Sequence, residues 1–530
     1  MYALRRWPSS AAVRRGGSCL TPYSSCSVHG ARQFHRLSVE AAAVDQARLE
    51  ENQKLCAKLG ELNKWAGAGG GADAIKRHKL QHRKLLADER LQLLLDKDAP
   101  FVEVGKLVGS ADGLPRGGSI IGIGSVSGRL CVINATDGTV KGGTVYPVGV
   151  KKQLRGQYLS ETLALPSIYV IDSGGAFLPL QADIFPDKNH GGRTFRNQAV
   201  LGAKGITQIA VVVGSCTAGG AYVPTMSDEA VIVDKIGSVF LGGPPLVKAA
   251  LGENVSTEQL GGATLHCRDS GCTDYFAKTE PEAFEYCRQI VSTLKASNCA
   301  QNSADQKTVQ SPAYPEDDLI NLAGSVDPSP AFVYQLLSRV LDGSEFLEFR
   351  QMYGEGLICG YGKVDGRTIG VVAAVGTGVD AKSALKACQL VQMCEDRGIP
   401  LAFFQRCLHD GWSQYDAHTI KPHAQLMQAI ATSRVHKVVV NVGGAFGADY
   451  FLTCGRSFDP TFYFAWPNAV ISHSREDEKP ESALSAASRL IVDDVIFPQD
   501  TRKVLQQVIP LLFRSARSPN EQGSCRLMRL

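Results

Sequence analysis

Two pairs of small residues carry the chemistry that can be read from this sequence. Gly219-Gly220 follows the run Gln208-Ile209-Ala210-Val211-Val212-Val213, and Gly447-Ala448 follows His436-Lys437-Val438-Val439-Val440 at the same spacing. In each copy a β-branched run reads as a buried strand and a loop of small residues ends it. Small residues let a substrate oxygen approach backbone N–H groups closely, and at a helix start those donors are unpaired and favoured by the dipole. Fixed donors of this kind stabilise a developing oxyanion, at ~2.7–4 kcal/mol for each donor. One such loop serves helix–strand packing equally well. Two at matched positions suit a reaction with two developing oxyanions.

The second candidate is Lys141-Gly142-Gly143-Thr144-Val145-Tyr146-Pro147, closely followed by Lys151-Lys152. Lysines around a glycine turn can meet phosphates as point charges, or can form a solvated basic face. No Ser-His-Asp arrangement, carboxylate pair, nucleophile elbow or Walker loop is present. The 15 cysteines are scattered singly, without zinc spacing, so no metal site is expected.

The elements that position these residues form a duplicated plan, and repetition of this kind implies a duplicated domain. Pro-led apolar strands, Pro166–Ile171 and Pro400–Phe404, precede the two repeats, and the first runs into Asp172-Ser173-Gly174-Gly175-Ala176. Asp342–Phe349 parallels Asp98–Glu103, and Gly360–Val375 parallels Gly122–Thr136. Alternating strand and helix patterns give the α/β class. The stretch 41–98 reads as helical with a break at Gly67–Gly71, and its spacing suits a surface amphipathic helix. The expected organisation is a leader over 1–36, a first domain over 37–299, a linker over 300–317 and a shortened second domain over 318–530.

Bulk composition sets limits. A chain of 530 residues is too long for one core. A net charge of +4, much of it from the N-terminus, gives no argument for nucleic acid. No apolar stretch approaches the roughly 20 residues of a membrane span. The leader carries Arg5, Arg6, Arg14, Arg15, Arg32 and Arg36 with no acid before Glu40, which reads as a mitochondrial presequence with Arg32-Gln33-Phe34 as a processing region.

The segments Lys141–Lys152, Asp172–Ala176, Gln181–Asp187, His190–Ala199, Gly214–Pro224, Gly242–Ala250 and Gly261–Cys267 resemble the carboxyltransferase (beta) subunits of biotin-dependent acyl-CoA carboxylases. The stretch around Arg193-Thr194-Phe195 looks like the methylcrotonyl branch. The resemblance implies two tandem crotonase-like domains and transfer of a carboxyl group from carboxybiotin to 3-methylcrotonyl-CoA, a step of leucine degradation in the mitochondrial matrix. It implies a biotin-carrying alpha subunit as partner, a homo-oligomer of beta subunits, and an active site between the first half of one copy and the second half of another. Gly219, Gly220, Gly447 and Ala448 become the two donor pairs, while Lys141, Gly174, Gly175, Ala176 and Arg193 fall in the acyl-CoA site. The base would be a ring nitrogen of biotin, and no metal would be needed.

The second half departs from the family pattern. Gln405-Arg406-Cys407-Leu408-His409-Asp410-Gly411 stands where an Asn-x-Thr-Gly-Phe loop is usual, and Asp449 stands where a glycine is usual. After Ser472 the chain reads His473–Pro480 in place of a Met-Gly-Gly-Glu-Gln helix start, and it is shorter before Asp493. An alternative function therefore stands beside the first: a catalytically impaired paralogue that binds acyl-CoA or serves as a structural subunit.

Overall fold

The computed structural model describes residues 34–39, 45–294, 309–408, 417–473 and 479–514. Residues 1–33 of the expected leader, and 300–308 of the expected linker, lie outside the described residues. Phe34 packs on the second-half core, and His35–Arg36 pairs with the edge of the second-half sheet.

The first half holds strands β1 (Phe101–Val104), β2 (Ser119–Val126), β3 (Arg129–Thr136), β4 (Ser167–Ser173), β5 (Gln208–Thr217), β6 (Glu229–Val233) and β7 (Tyr275–Ala277). The second holds β8 (Glu345–Glu348), β9 (Leu357–Val364), β10 (Arg367–Ala374), β11 (Leu401–Gln405), β12 (Lys437–Asn441), β13 (Phe462–Ala465) and β14 (Asp494–Val495). Each set lies in sequential order across its own sheet. In both, the leading three strands are antiparallel and the later ones parallel. The duplication expected from the sequence is thus a duplication of topology.

Parallel neighbours need crossover helices. After α1 (Gln46–Gly67), helix α2 (Pro147–Leu163) joins β3 to β4 and α3 (Gly192–Ala203) joins β4 to β5. Helix α4 (Glu280–Thr293) closes the first half, and α5 (Pro330–Val340) opens the second. There α6 (Ala381–Arg397) and α7 (Ala417–Thr432) repeat the crossovers, followed by α8 (Gly447–Leu452) and α9 (Thr501–Leu512). Pro147 starts α2, where its missing N–H costs nothing. Asp380 caps α6 by accepting from the Ser383 N–H at 2.8 Å. The glycine break after α1 appears as positive φ at Gly69 and Gly71, but the helical pattern does not continue unbroken to Leu95. Residues 83–86 are extended, and a short helix resumes over Ala87–Leu94.

The central strands are buried on both faces, β4, β11, β12 and β13 along their whole length, which is why they read as continuous apolar runs. The two halves share one core, in which Val104, Val132, Leu159 and Leu163 join Phe332, Leu336, Phe464 and Leu505. A buried ion pair crosses the same interface. Asp493, fully buried, accepts from Arg155 Nε and Nη2, both at 2.8 Å, and from the Tyr463 N–H at 2.9 Å. Burial opposes the Asp493 charge, but the guanidinium groups of Arg155 and Arg456 outweigh it and hold the carboxyl below the usual carboxylate range.

Candidate active site

Strand β4 ends in Ser173-Gly174-Gly175-Ala176, and the Lys141-Gly142-Gly143 turn is stitched beneath it. Ser173 Oγ donates to the Gly143 carbonyl at 3.1 Å, and the Gly174 N–H reaches the same oxygen at 3.3 Å. Thr144–Val145 then pairs in parallel with Gly175–Ala176. Glycine is required at 143: φ is +71°, and a Cβ would stand 2.0 Å from the Asp172 carbonyl. Lys141 lies exposed on this turn with φ +50°. Its expected companions do other work. Lys152 is fully buried, donates to the Arg116 and Ser119 carbonyls at 2.9 and 2.6 Å, and burial drops its pKa to about 7. Lys151 donates to the Arg489 carbonyl at 2.7 Å. The basic cluster at the glycine turn therefore reduces to Lys141.

Strand β5 ends at Thr217, followed by a single turn over Ala218–Ala221 that leads into the short helix Tyr222–Met226. Gly219 and Gly220 occupy the first turn, where backbone N–H groups have no intrahelical acceptor. A Cβ on Gly219 would meet the Phe195 ring at 3.2 Å, and one on Gly220 would come within 3.9 Å of Ser173 Cβ. Between these loops, the sheet, α2 and α3 lies a cavity of about 570 Å³. Gly174, Gly175, Ala176, Gly219 and Gly220 line it, as do Thr194 and Phe195; Lys141 and Arg193 stand outside the lining. Arg193 is half-buried in the first turn of α3. Around the mouth, Leu241 and Leu246 are each 61% exposed.

Behind the loops lies a network that the sequence did not disclose. Asp172 accepts from Lys84 Nζ at 2.9 Å and from Arg90 Nη1 at 3.2 Å, with His78 Nε2 at 3.9 Å. Arg90 also donates to Glu280 at 2.6 Å and to the Val213 carbonyl at 3.0 Å. Burial lowers the His78 pKa, against the pull of Asp172. This cluster fixes the end of β4 against β5. The available signal was Asp172 leading a glycine loop; Arg90, embedded in a helical pattern, gave none.

In the second half, Gly444–Phe446 continues the line of β12 and pairs with Val470–Ser472, as the end of β5 pairs with Ser238–Phe240. Phe446 and Thr217 are the respective N-caps. The next residues, Gly447 and Ala218, both have left-handed φ, +50° and +54°. The two loops therefore superpose one residue away from the sequence alignment: Ala448 matches Gly219, and Asp449 matches Gly220 where Ala221 was expected. Gly447 and Ala448 do begin a helix, half-buried at the head of α8. They do not line the first-half cavity.

The departing segment 405–408 is folded into the second half. Gln405 accepts from the Tyr463 hydroxyl at 2.6 Å and donates to the Thr453 carbonyl at 3.1 Å. Arg406 lies 3.9 Å over the Phe332 ring and donates to the Val375, Ser325 and Asp327 carbonyls; burial lowers its pKa to about 10. The Cys407 thiol donates to Asp449 Oδ2 at 3.3 Å, and the Val379 N–H donates to Oδ1 at 3.3 Å. Burial raises the Asp449 pKa. His409–Gly411 lie outside the described residues. Past Ser472 the chain turns back as Glu481–Ser482, antiparallel to Val470–Ile471, in place of a long helical insert.

Among the described residues no group of three His, Cys, Asp or Glu side chains could hold a metal ion, and no helix is long and apolar enough to cross a membrane.

Comparison with known proteins matches this geometry to one family. The carboxyl transferase domain family matches residues 78–473. The chain is 44% identical over 450 residues to the probable mitochondrial methylcrotonoyl-CoA carboxylase beta chain of Drosophila melanogaster, covering 80% of this chain and 78% of that one. It is 45% identical over 443 residues to the biotin-dependent 3-methylcrotonyl-coenzyme A carboxylase beta1 subunit of Mycobacterium tuberculosis, covering 82% and 83%. The crystal structure of the P. aeruginosa geranyl-CoA carboxylase beta subunit superposes with a TM-score of 0.80 at 32% identity, over 93% of this chain and 99% of that one. With its tandem crotonase-like halves, its glycine-walled slot and this degree of identity, the chain belongs to the carboxyl transferase family, as a carboxyltransferase subunit of the acyl-CoA carboxylase class.

Proposed function

We propose that this chain carboxylates 3-methylcrotonyl-CoA or a close branched acyl-CoA, in the mitochondrial matrix, within an oligomer of its own copies and a biotin-carrying alpha subunit. The observation that carries the reading is the first-half slot, an enclosed, mostly apolar space ending on the unpaired amides of Gly219 and Gly220. Kinship with methylcrotonoyl-CoA carboxylase beta chains supplies the acyl class and the compartment.

In this reading the Gly219 and Gly220 N–H groups hold the thioester oxygen as charge develops on it, each donor contributing about 2.7–4 kcal/mol. Gly174, Gly175 and Ala176 form the opposite wall, where the absence of bulk admits the thioester. Lys141 and Arg193, outside the slot, are placed to meet the phosphates of the CoA tail as it leaves the mouth. The apolar lining excludes water from the acyl group. Biotin, borne by the alpha subunit, supplies the carboxyl group and the base. Gly447 and Ala448 offer the second donor pair, turned toward the slot of another copy. Phe34 and the His35–Arg36 strand belong to the second-half sheet, so processing falls before Phe34.

A second reading rests on Arg406, Cys407 and Asp449, whose side chains occupy the end of β11 and bond one another or nearby backbone. Under it the chain binds acyl-CoA and assembles, but transfers carboxyl groups slowly. Incorporation of labelled bicarbonate into 3-methylcrotonyl-CoA, by this chain with its biotinylated alpha partner, tests the first reading. Tight acyl-CoA binding without incorporation selects the second, and absence of both overturns each.

A further inference from the structure

The first-half slot is deeper than a short branched acyl group requires, and its far end is polar. Ser173 marks the level of the Gly219 and Gly220 amides, since it pairs with Cys216 and a Cβ at Gly220 would come within 3.9 Å of its own. From there the lining continues down the sheet through Ile171 and Thr136 to Tyr169 and its pair Asn134. Four strand residues separate Ser173 from Tyr169, about 13 Å at ~3.3 Å per residue. A five-carbon acyl group leaves most of that length empty.

At the far end stands Gln157, on α2 and 6% exposed. Its Nε2 donates to the Thr194 carbonyl at 2.8 Å, which fixes the amide orientation and leaves Oε1 as the free acceptor. Oε1 is buried with no partner, and Gln157 lines the cavity. The Tyr169 hydroxyl stands beside Gln157, but its proton is already committed to Gln208 Oε1 at 3.2 Å. A buried acceptor with no donor is costly, and the cost is recovered when a ligand brings one. A purely apolar acyl chain cannot bring one.

We propose that the closed end of this slot binds a hydroxyl group at the distal end of a medium-length acyl chain, so that ω-hydroxyacyl-CoA thioesters form a second ligand class of the pocket. The inference rests on the reading of the first half as the acyl-CoA site. A chain of roughly eight to ten carbons spans the ~13 Å to Gln157. Its terminal O–H donates to Gln157 Oε1.

Calorimetric titration of the full chain with matched pairs, ω-hydroxyoctanoyl-CoA against octanoyl-CoA and ω-hydroxydecanoyl-CoA against decanoyl-CoA, tests it. One pair should favour the hydroxylated ligand by about tenfold, the size of one recovered buried acceptor. Gln157→Met, of similar length but without the acceptor, should bring that ratio near one. Equal binding within both pairs, or a preference that survives Gln157→Met, overturns the proposal and leaves the acceptor to an ordered water. Titration with 3-methylcrotonyl-CoA separates the two levels. If that ligand binds while the longer ones do not, only the deep chamber falls; if none binds, the acyl-CoA reading falls with it.

Discussion

Replacing Asp493 with alanine should cost the chain much of its stability, and the structure gives the reason. Asp493 is fully buried and receives two 2.8 Å bonds from Arg155, a 3.2 Å bond from Arg456 and a 2.9 Å bond from the Tyr463 N–H. At 2.8 Å and an effective dielectric of 20, a single charge pair is worth about 6 kcal/mol before desolvation is charged against it. The net worth of the pair is much smaller, but deleting one partner strands the other. The Arg155 side chain is 6% exposed and has little access to water once Asp493 is gone. Removing one member of such a buried pair typically costs 3–5 kcal/mol, against the ~5–15 kcal/mol total of an ordinary domain. Urea denaturation of Asp493→Ala should therefore show a large fall in midpoint at little changed slope. The double variant Arg155→Met with Asp493→Leu should lose distinctly less than the two single losses added together, because no charge remains unpaired. A second readout lies in the slot, since α2 carries both Arg155 and the lining residues Gln153 and Gln157. Acyl-CoA affinity should fall with the single variant and partly return in the double one. A change below about 1 kcal/mol for Asp493→Ala, or strict additivity in the cycle, would refute the reasoning.

Gly214→Ala places a Cβ 1.9 Å from Asp172 Oδ1, so it should displace the carboxylate from Lys84 and Arg90 and lower the thermal midpoint by many degrees, read by calorimetry. Asp96 is held at a pKa of about 2: burial opposes the charge, but bonds from Ser125, the Gly128 and Ser127 N–H groups and Arg288 outweigh it. Because its folded pKa lies below the unfolded value of about 3.9, its stabilisation is present above that value and is lost as pH falls toward 2; the stability gap between wild type and Asp96→Asn should shrink over that window. Lys141→Ala should weaken CoA binding by a few-fold at low salt and less at high salt, as expected of one exposed charge; unchanged affinity in calorimetry would return this lysine to a solvated role. Asp449→Gly should raise labelled bicarbonate transfer if the carboxylate beside the second donor pair opposes an oxyanion there. Unaltered turnover at an ordinary family level would show that the bonds from Cys407 and Val379 already neutralise it.

Much of the fold was legible because its signals are local. The β-branched runs Val211–Val213 and Val438–Val440, and the helix signals at Pro147 and Asp380, depend on neighbours a few positions away. The glycine-walled half of the site was legible for the same reason. What was not legible depends on contacts between distant segments. The loop equivalence slipped by one residue because its true anchor is a left-handed backbone position, occupied by Gly447 in one copy and disguised as Ala218 in the other. Lys152 looked like part of a basic face, and only the packing of α2 against residues 116–119 shows it buried. The Arg90–Asp172–Lys84 cluster joins residues 82 and 88 positions apart, which no window of sequence connects.

The left-handed alanine at the head of the first loop carries a further implication. A residue with a Cβ at φ +54° is held there against a preference of about 1–2 kcal/mol. The first loop is thus kept cocked by its surroundings, while its twin, with Gly447, rests without that load. Ala218→Gly would slacken the cocked turn, and any loss of precision would fall on the direction in which the Gly219 and Gly220 amides point, not on their identity. Side-chain drift in such a loop leaves its donors in place, whereas a slip of one position in the strand beneath it turns both donors away. Tolerance to substitution and intolerance to insertion therefore coexist within the same few residues.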